Sequence, residues 1–187
     1  STSYAIRGLW IGPYMLEVHQ LDAITRGNIL FLFAALGTLG IFLSGQLAGR
    51  LGNPRPVVIW FCVATAISLA IGAGVAGPAM ATFVVTFSVF SLLSNFYPAV
   101  LAHGQVTFPD RLRGRALTTV NFAVFAGVGV SQDITGFLID AFPADATGAH
   151  PEAAYRVMFA YLAVVLLAGT AIYAIYAKFN RSRPQAG

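Results

Sequence analysis

Two charged residues stand in otherwise apolar stretches, and they are the first candidates for chemistry. Arg7 lies about two helical turns before the Gly12-Pro13 break, and Asp133 lies about two turns inside the end of another stretch. A charge inside such a stretch predicts a function, because burying it unpaired is costly. For Arg7 the function would be contact with an anion or carboxylate, or a place in a proton-coupling network. The alternatives are a structural ion pair between Arg7 and Asp133, or an Asp133 side chain that reaches water.

Polar side chains recur on two further apolar stretches. One stripe contains Ser88, Ser91 and Asn95, and the other contains Thr118, Asn121, Gln132 and Thr135. Asn121 and Gln132 are separated by about three helical turns, so they project from the same helix face. Each amide alone is equally consistent with hydrogen bonding between helices. Two stripes together favour a polar cavity lined by Asn95, Asn121 and Gln132.

Other chemistries find little support in the sequence. Cys62 is the only cysteine, so no intrachain disulfide and no thiolate metal cluster can form. The three histidines are scattered without the spacing of metal ligands. No Gly-rich loop with a following Lys is present to bind a nucleotide, and no Ser–His–Asp pattern stands in the required context. We therefore expect no metal, no cofactor and no enzymatic activity.

The composition indicates where these residues lie. Of 187 residues, 57% are hydrophobic and only 10% are charged, whereas a soluble domain carries about 25% charged residues. A membrane-spanning helix needs about 20 mostly apolar residues. Segments of this kind are predicted at residues 1–15, 27–49, 56–73, 78–102, 115–139 and 155–177. We predict one all-α membrane domain over 1–187, a six-helix bundle with a tail at 178–187, and we expect the short first helix to begin before Ser1.

The basic residues of the predicted loops indicate the orientation of this bundle. Eight of them fall on one side if the helices alternate: Arg50, Arg55, Arg111, Arg113, Arg115, Lys178, Arg181 and Arg183. Only Arg26 and Arg156 fall on the other side, among acidic residues. Basic loops remain in the cytoplasm, so both termini are predicted there. The net charge of +4 follows from this asymmetry, and it predicts contact with the bilayer rather than with a nucleic acid.

The chain resembles the major facilitator superfamily at several motifs. Residues 45–55, GQLAGRLGNPR, are similar to the family's cytoplasmic loop motif, and residues 108–116, FPDRLRGRA, resemble its basic loop two helices later. Residues 8–14, GLWIGPY, are similar to the seventh helix of bacterial members, and residues 131–136, SQDITG, to the eleventh. The resemblance covers nearly the whole chain and implies the C-terminal six-helix half of a twelve-helix transporter.

That resemblance implies roles for the helices and for several residues. The first, second, fourth and fifth segments would line the central cavity, while the third and sixth, which have few polar residues, would face lipid. The cytoplasmic gate would include Gly45, Arg50, Gly52 and Arg55, together with the basic loop at Arg113 and Arg115. The family's acidic loop position is Gly49 here, so a carboxylate latch between the two halves is missing from this loop.

The sequence therefore predicts secondary active transport of a small polar or anionic solute by alternating access, with protons as a candidate coupling ion. The expected partners are the lipid bilayer, an N-terminal six-helix half on the same or a separate chain, and the solute. The expected location is a bacterial inner membrane. The alternatives are a membrane scaffold or assembly protein that no longer transports, and a half-size transporter that acts as a dimer.

Overall fold

The computed structural model describes residues 9–75 and 79–179, and all regular elements in these ranges are helical. The described helices are α1 (Ile11–Glu17), α2 (Ala23–Leu51), α3 (Pro54–Gly74), α4 (Met80–Leu93), α5 (Tyr97–Thr107), α6 (Asp110–Asp140) and α7 (Glu152–Phe179). Five spans are long and apolar enough to cross a membrane: α2, α3, α4 with α5, α6, and α7. The prediction of an all-α membrane bundle is confirmed. Arg7, its conjectured pair with Asp133 and the tail from residue 180 lie outside the described residues.

The turn between α2 and α3 is set by three consecutive residues. Gly52 adopts a left-handed conformation with φ of 61°, which ends α2. The side chain of Asn53 then accepts a hydrogen bond from the backbone N–H of Arg55 at 3.2 Å, and Pro54 starts α3. Because only two residues separate the helices, α2 and α3 form an antiparallel pair that brings Arg50 and Arg55 to one end of the bundle.

The fourth span is broken within the bundle. Its first helix, α4, ends at Leu93, and α5 starts at Tyr97 with Pro98 in its first turn. Proline has no N–H, so a continuous helix would leave the carbonyl of Ser94 without its usual donor, and the residue before a proline avoids helical geometry. The sequence places a bend at Pro98, and the structure places the interruption just before it, at residues 94–96.

The core has two clusters, and the larger is built around the aromatic ring of Tyr14. Its ring centroid lies 5.1 Å from that of Phe83, 5.2 Å from that of Tyr155 and 5.6 Å from that of Phe159. These contacts join α1, α4 and α7. The smaller cluster, around Phe61 and Cys62, joins α3 to α2 and α5. The two clusters hold α3, α4 and α7 together as the packed part of the bundle.

By contrast, α2 and α6 are the least buried spans. The rings of Phe122, Phe125 and Phe137 on α6 are 74%, 74% and 76% exposed, and α6 packs mainly against α5 and α7. On α2, Phe31 and Phe42 are also largely exposed. Helices α3 and α7, which the sequence assigns to lipid contact, pack extensively on each other and expose only an outer face. The broadest unpaired surface of the described bundle therefore lies on α2 and α6.

Candidate transport pathway

A hydrogen bond between α5 and α6 lies beside the broken span. The hydroxyl of Tyr97 donates to the side-chain oxygen of Asn121. Asn121 is exposed and Tyr97 is half-buried, so the pair borders open space rather than the packed core. Together these groups offer a phenol and an amide that can donate and accept hydrogen bonds without carrying charge. Tyr97 follows the predicted stripe on the fourth segment, and the structure joins it to the stripe on α6.

Asn95 lies within the break itself and is almost fully buried. Its side-chain amide donates to the carbonyl of Ser91 at 2.8 Å, and its backbone carbonyl accepts a hydrogen bond from the Ser44 hydroxyl at 2.9 Å. Breaking a helix frees backbone groups that must be satisfied inside a membrane. In this structure the Asn95 amide and the Ser44 hydroxyl donate hydrogen bonds to backbone carbonyls at the break. The bond from Ser44 also ties this point of the fourth span to α2.

The far end of the α6 stripe contacts the first segment. The indole N–H of Trp10 donates to the hydroxyl of Thr135 at 2.8 Å, and that hydroxyl donates to the Ser131 carbonyl at 2.8 Å. Gln132 is half-buried one turn away, and Asp133 is exposed. Trp10 enters the sequence argument only through the family resemblance. The 125 positions between Trp10 and Thr135 explain why spacing alone cannot pair them.

The predicted gate residues lie at the end of the bundle that we call the arginine-rich end, defined by Arg50, Arg55 and Arg113. The Arg55 guanidinium donates to the carbonyl of Ala174 on α7 at 2.7 Å. Arg50 is exposed. Arg113 pairs with Asp110 at 2.7 Å and donates through Nε to the Gln105 carbonyl at 2.9 Å. Arg55 and Arg113 therefore contact backbone carbonyls near the C-terminal ends of α7 and α5, where a positive charge is favourable.

The remaining predicted gate residues differ in their surroundings. Gly45 faces α5, where an added Cβ would lie 3.8 Å from Cβ of Pro98. Arg115 is exposed at the start of α6. A further contact, which the sequence does not reveal, joins α5 to α7: the hydroxyl of Tyr173 lies 2.7 Å from Nδ1 of His103. The second helix of the broken span, α5, is thus held to the C-terminal part of α7.

The opposite end, which we call the acidic end, is defined by Glu17, Asp140, Asp145 and Glu152. There the backbone N–H of His150 donates to a carboxylate oxygen of Glu17 at 2.7 Å, and its ring Nδ1 lies 3.5 Å from the same oxygen. The other ring nitrogen lies 3.9 Å from the carboxylate of Asp140. His150 therefore connects the ends of α1 and α6 through the loop before α7.

This histidine borders a cavity of about 390 Å³ that is also lined by the carboxyl groups of Glu17, Asp145 and Glu152. The sequence shows His150 only as a scattered histidine, because 133 positions separate it from Glu17. Within residues 9–75 and 79–179, no three His, Cys, Asp or Glu side chains are arranged to hold a metal ion. The cavity therefore brings side chains from the ends of α1 and α7 and from the loop between α6 and α7 to one place.

Comparisons with known proteins agree with this architecture. The sequence profile of the Major Facilitator Superfamily matches residues 2–187. The chain is also 30% identical over 128 residues to a protein named uncharacterized MFS-type transporter YfnC from Bacillus subtilis strain 168. That alignment covers 68% of this chain and 30% of the relative. No solved structure matches the chain. The profile match over almost the whole length shows that this chain belongs to the major facilitator superfamily.

Proposed function

We propose that this chain forms the C-terminal half of a secondary active transporter that moves a small polar or anionic solute by alternating access. The observation that carries the proposal is the broad exposed surface of α2 and α6. A second six-helix half placed against that surface would enclose a pathway between the two halves. The alignment with less than a third of a longer relative is consistent with such a missing half.

The polar groups beside this surface support the choice of solute. Tyr97 and Asn121 present uncharged donors and acceptors, and Gln132 adds a half-buried amide farther along α6. Such groups recognise hydroxyl, amide or carboxylate groups on a solute. Arg7, within the first predicted segment, would supply the positive charge that an anionic solute requires. Asp133 is the candidate for proton coupling from α6.

The broken span supports a gating movement. In the proposed cycle α5 tilts about residues 94–96 while α4 stays packed on α2. The hydrogen bond from Ser44 to the Asn95 carbonyl holds this joint, and the Tyr97–Asn121 bond transmits the tilt to α6. Interrupted helices beside a central site are a recurring device in secondary transporters. The arginine-rich end would face the cytoplasm of a bacterial cell, in agreement with the positive-inside rule.

Uptake measurements test this proposal. The full-length protein would be placed in vesicles and screened with labelled monocarboxylates, amino acids and sugars. For a transported solute, we expect Asn121→Ala and Gln132→Ala to reduce uptake at least about tenfold, since each removes a hydrogen bond worth about 1.5 kcal/mol or more to the solute. Arg7→Ala should abolish the uptake of anions.

The matched control is Thr119→Val on the same helix, because among the described residues the Thr119 hydroxyl bonds only to the Arg115 carbonyl of α6 itself. Its uptake should equal that of the wild type. If Asn121→Ala, Gln132→Ala and Arg7→Ala all left uptake unchanged, the cavity assignment would be wrong. If no solute were transported at all, the scaffold alternative would gain support.

A homodimer of half-size chains is the second candidate, because a second copy could also cover the exposed rings of α6. Replacing Cys62 with Ser and Phe122 with Cys would place a single thiol on that face. Strong cross-linking between two copies would favour the homodimer. Cross-linking only to residues of an N-terminal half would favour the twelve-helix transporter.

A further inference from the structure

Arg156 is an arginine at the acidic end of the bundle, one turn inside α7. Its Nε donates to the carbonyl of Ala73 at 2.7 Å, and its Nη2 lies 3.4 Å from the carbonyl of Gly74. These carbonyls belong to the last residues of α3. The side chain therefore crosses from α7 to the C-terminus of α3, where a positive charge interacts favourably with the helix dipole.

These two contacts leave much of the guanidinium unused. A guanidinium carries five N–H donors, and carbonyl groups do not neutralise its charge. Among the described residues Arg156 makes no ion pair. Glu152, one turn earlier, lines the separate cavity beside His150. A cation at the edge of the hydrocarbon region is stabilised by an anion that approaches from the membrane.

A groove lies directly beside this guanidinium. It occupies about 310 Å³ between α3 and α7 and is lined by Ala73, Ala153, Arg156, Val157 and Ala160. Apart from Arg156 the lining is apolar, and three of its members are alanines, whose short side chains create the depression. Ala153, Val157 and Ala160 are exposed on one face of α7. The groove opens on the outer face of the bundle and not toward the proposed solute pathway on α2 and α6.

Along α7, the groove is charged at one end and apolar at the other, in the same order as the headgroup and acyl chain of a phospholipid. Ala160 lies one turn beyond Arg156, about 6 Å farther from the acidic end. The same face of α7 continues with Val164, one turn beyond Ala160, and Ile67 on α3 is exposed as well. One end of the groove is therefore charged and near water, while the other end continues into an apolar surface within the bilayer.

We propose that this groove binds a phospholipid with an anionic headgroup. The phosphate would contact the remaining N–H donors of Arg156, and the upper part of an acyl chain would lie along Val157 and Ala160. The alternative occupant with the same chemistry is free phosphate, which would need only the guanidinium. This proposal is independent of the transported solute and of the pairing with a second half.

Lipid retention measures this site directly. The full-length protein would be incorporated into phosphatidylcholine nanodiscs containing phosphatidylglycerol, released in mild detergent and weighed by native mass spectrometry. We expect retained phosphatidylglycerol to fall about fivefold in Arg156→Gln, because one arginine near a membrane surface contributes about 1 kcal/mol to binding an anionic lipid. Ala160→Leu should cause a similar loss by filling the groove while leaving the contacts of Arg156 to α3 intact.

Ala171→Leu is the matched control, since Ala171 is an exposed alanine on α7 that lies outside the groove. It should retain as much lipid as the wild type. Equal retention in wild type, Ala160→Leu and Arg156→Gln would overturn the proposal. Displacement of the lipid by millimolar inorganic phosphate, with Ala160→Leu unaffected, would also overturn it, because the site would then be an anion site without an acyl subsite.

Discussion

The hydroxyl of Ser44 illustrates how a single side chain supports a broken membrane helix. It is fully buried and donates to the Asn95 carbonyl at 2.9 Å. Replacing Ser44 with Ala removes the donor and leaves that carbonyl without this partner, at a cost of about 1–2 kcal/mol. Thermal unfolding in detergent measures the loss. Thr38→Val is the control, because in the part of the chain that the structure describes the exposed Thr38 hydroxyl bonds only to the Ala34 carbonyl of α2, and this variant should unfold at the wild-type temperature.

Asp22 provides a pH-dependent contribution at the start of α2. Its carboxylate accepts hydrogen bonds from the Thr25 hydroxyl and from the N–H groups of Thr25 and Ile24, and these bonds hold its pKa below the usual range. Because the folded-state pKa is depressed, the stabilisation is present at neutral pH and is lost as the pH falls through that pKa. Thermal unfolding between pH 7 and pH 3 should show this loss.

Asp22→Asn removes the negative charge but keeps a side-chain oxygen that can cap α2. Asparagine is also a good N-cap, so the variant should retain most of the stability at pH 7 and lose the acid-dependent part contributed by this residue. Asp22→Ala should be less stable than either at pH 7. An unchanged acid profile in Asp22→Asn would contradict the assignment of this pH dependence to the cap.

At the scale of the helices, the close contact of α2 with α4 depends on Gly40. An added Cβ at Gly40 would lie 1.9 Å from the backbone oxygen of Leu92, so a side chain there must push the helices apart. We expect Gly40→Ala to lower the free energy of unfolding by about 1–3 kcal/mol, as for other overpacked cores. Gly49→Ala, on the same helix with open space around it, should be neutral or stabilising. Similar unfolding temperatures for both variants would contradict this packing.

The contact of His150 with Glu17 should restrain α1. Replacing Glu17 with Ala removes the acceptor of the 2.7 Å bond, and hydrogen exchange of residues 11–17 should then become faster while exchange in α3 stays the same. Asp140→Asn alters only the longer contact to His150 and should have a smaller effect. Unchanged exchange in Glu17→Ala would contradict a restraining role for the His150–Glu17 contact.

The sequence predicts structural features that depend on neighbouring residues, but it does not predict contacts between residues that are far apart in the chain. The Gly52-Asn53-Pro54 run predicts a turn because it provides a left-handed residue, a capping amide and a helix-starting proline in order. Pro98 predicts a disturbance nearby but not that the chain is interrupted over residues 94–96. The contacts of Trp10 with Thr135 and of His150 with Glu17 join residues more than a hundred positions apart. No local spacing encodes such pairs.

At the scale of the whole molecule, the described helices differ in the kinds of side chain that they expose. Helices α3 and α7 bury one face and expose an apolar outer face. By contrast, α6 exposes phenylalanine rings and also the side-chain amide of Asn121. A face that combines aromatic and polar groups suits an interface with another bundle and a water-filled gap. This asymmetry is the main reason to expect a partner half on the side of α2 and α6.

The central claim, that the α6 face of Asn121 lines an aqueous pathway, can be tested by cysteine accessibility. In the full-length protein, Cys62 is replaced by Ser, and single cysteines are introduced as Asn121→Cys or, on the outer face of α3, as Ile67→Cys. The account predicts that a charged, membrane-impermeant thiol reagent modifies position 121 and not position 67, and that a transported solute slows the reaction at 121. Protection of position 121 to the same extent as position 67 would contradict the account.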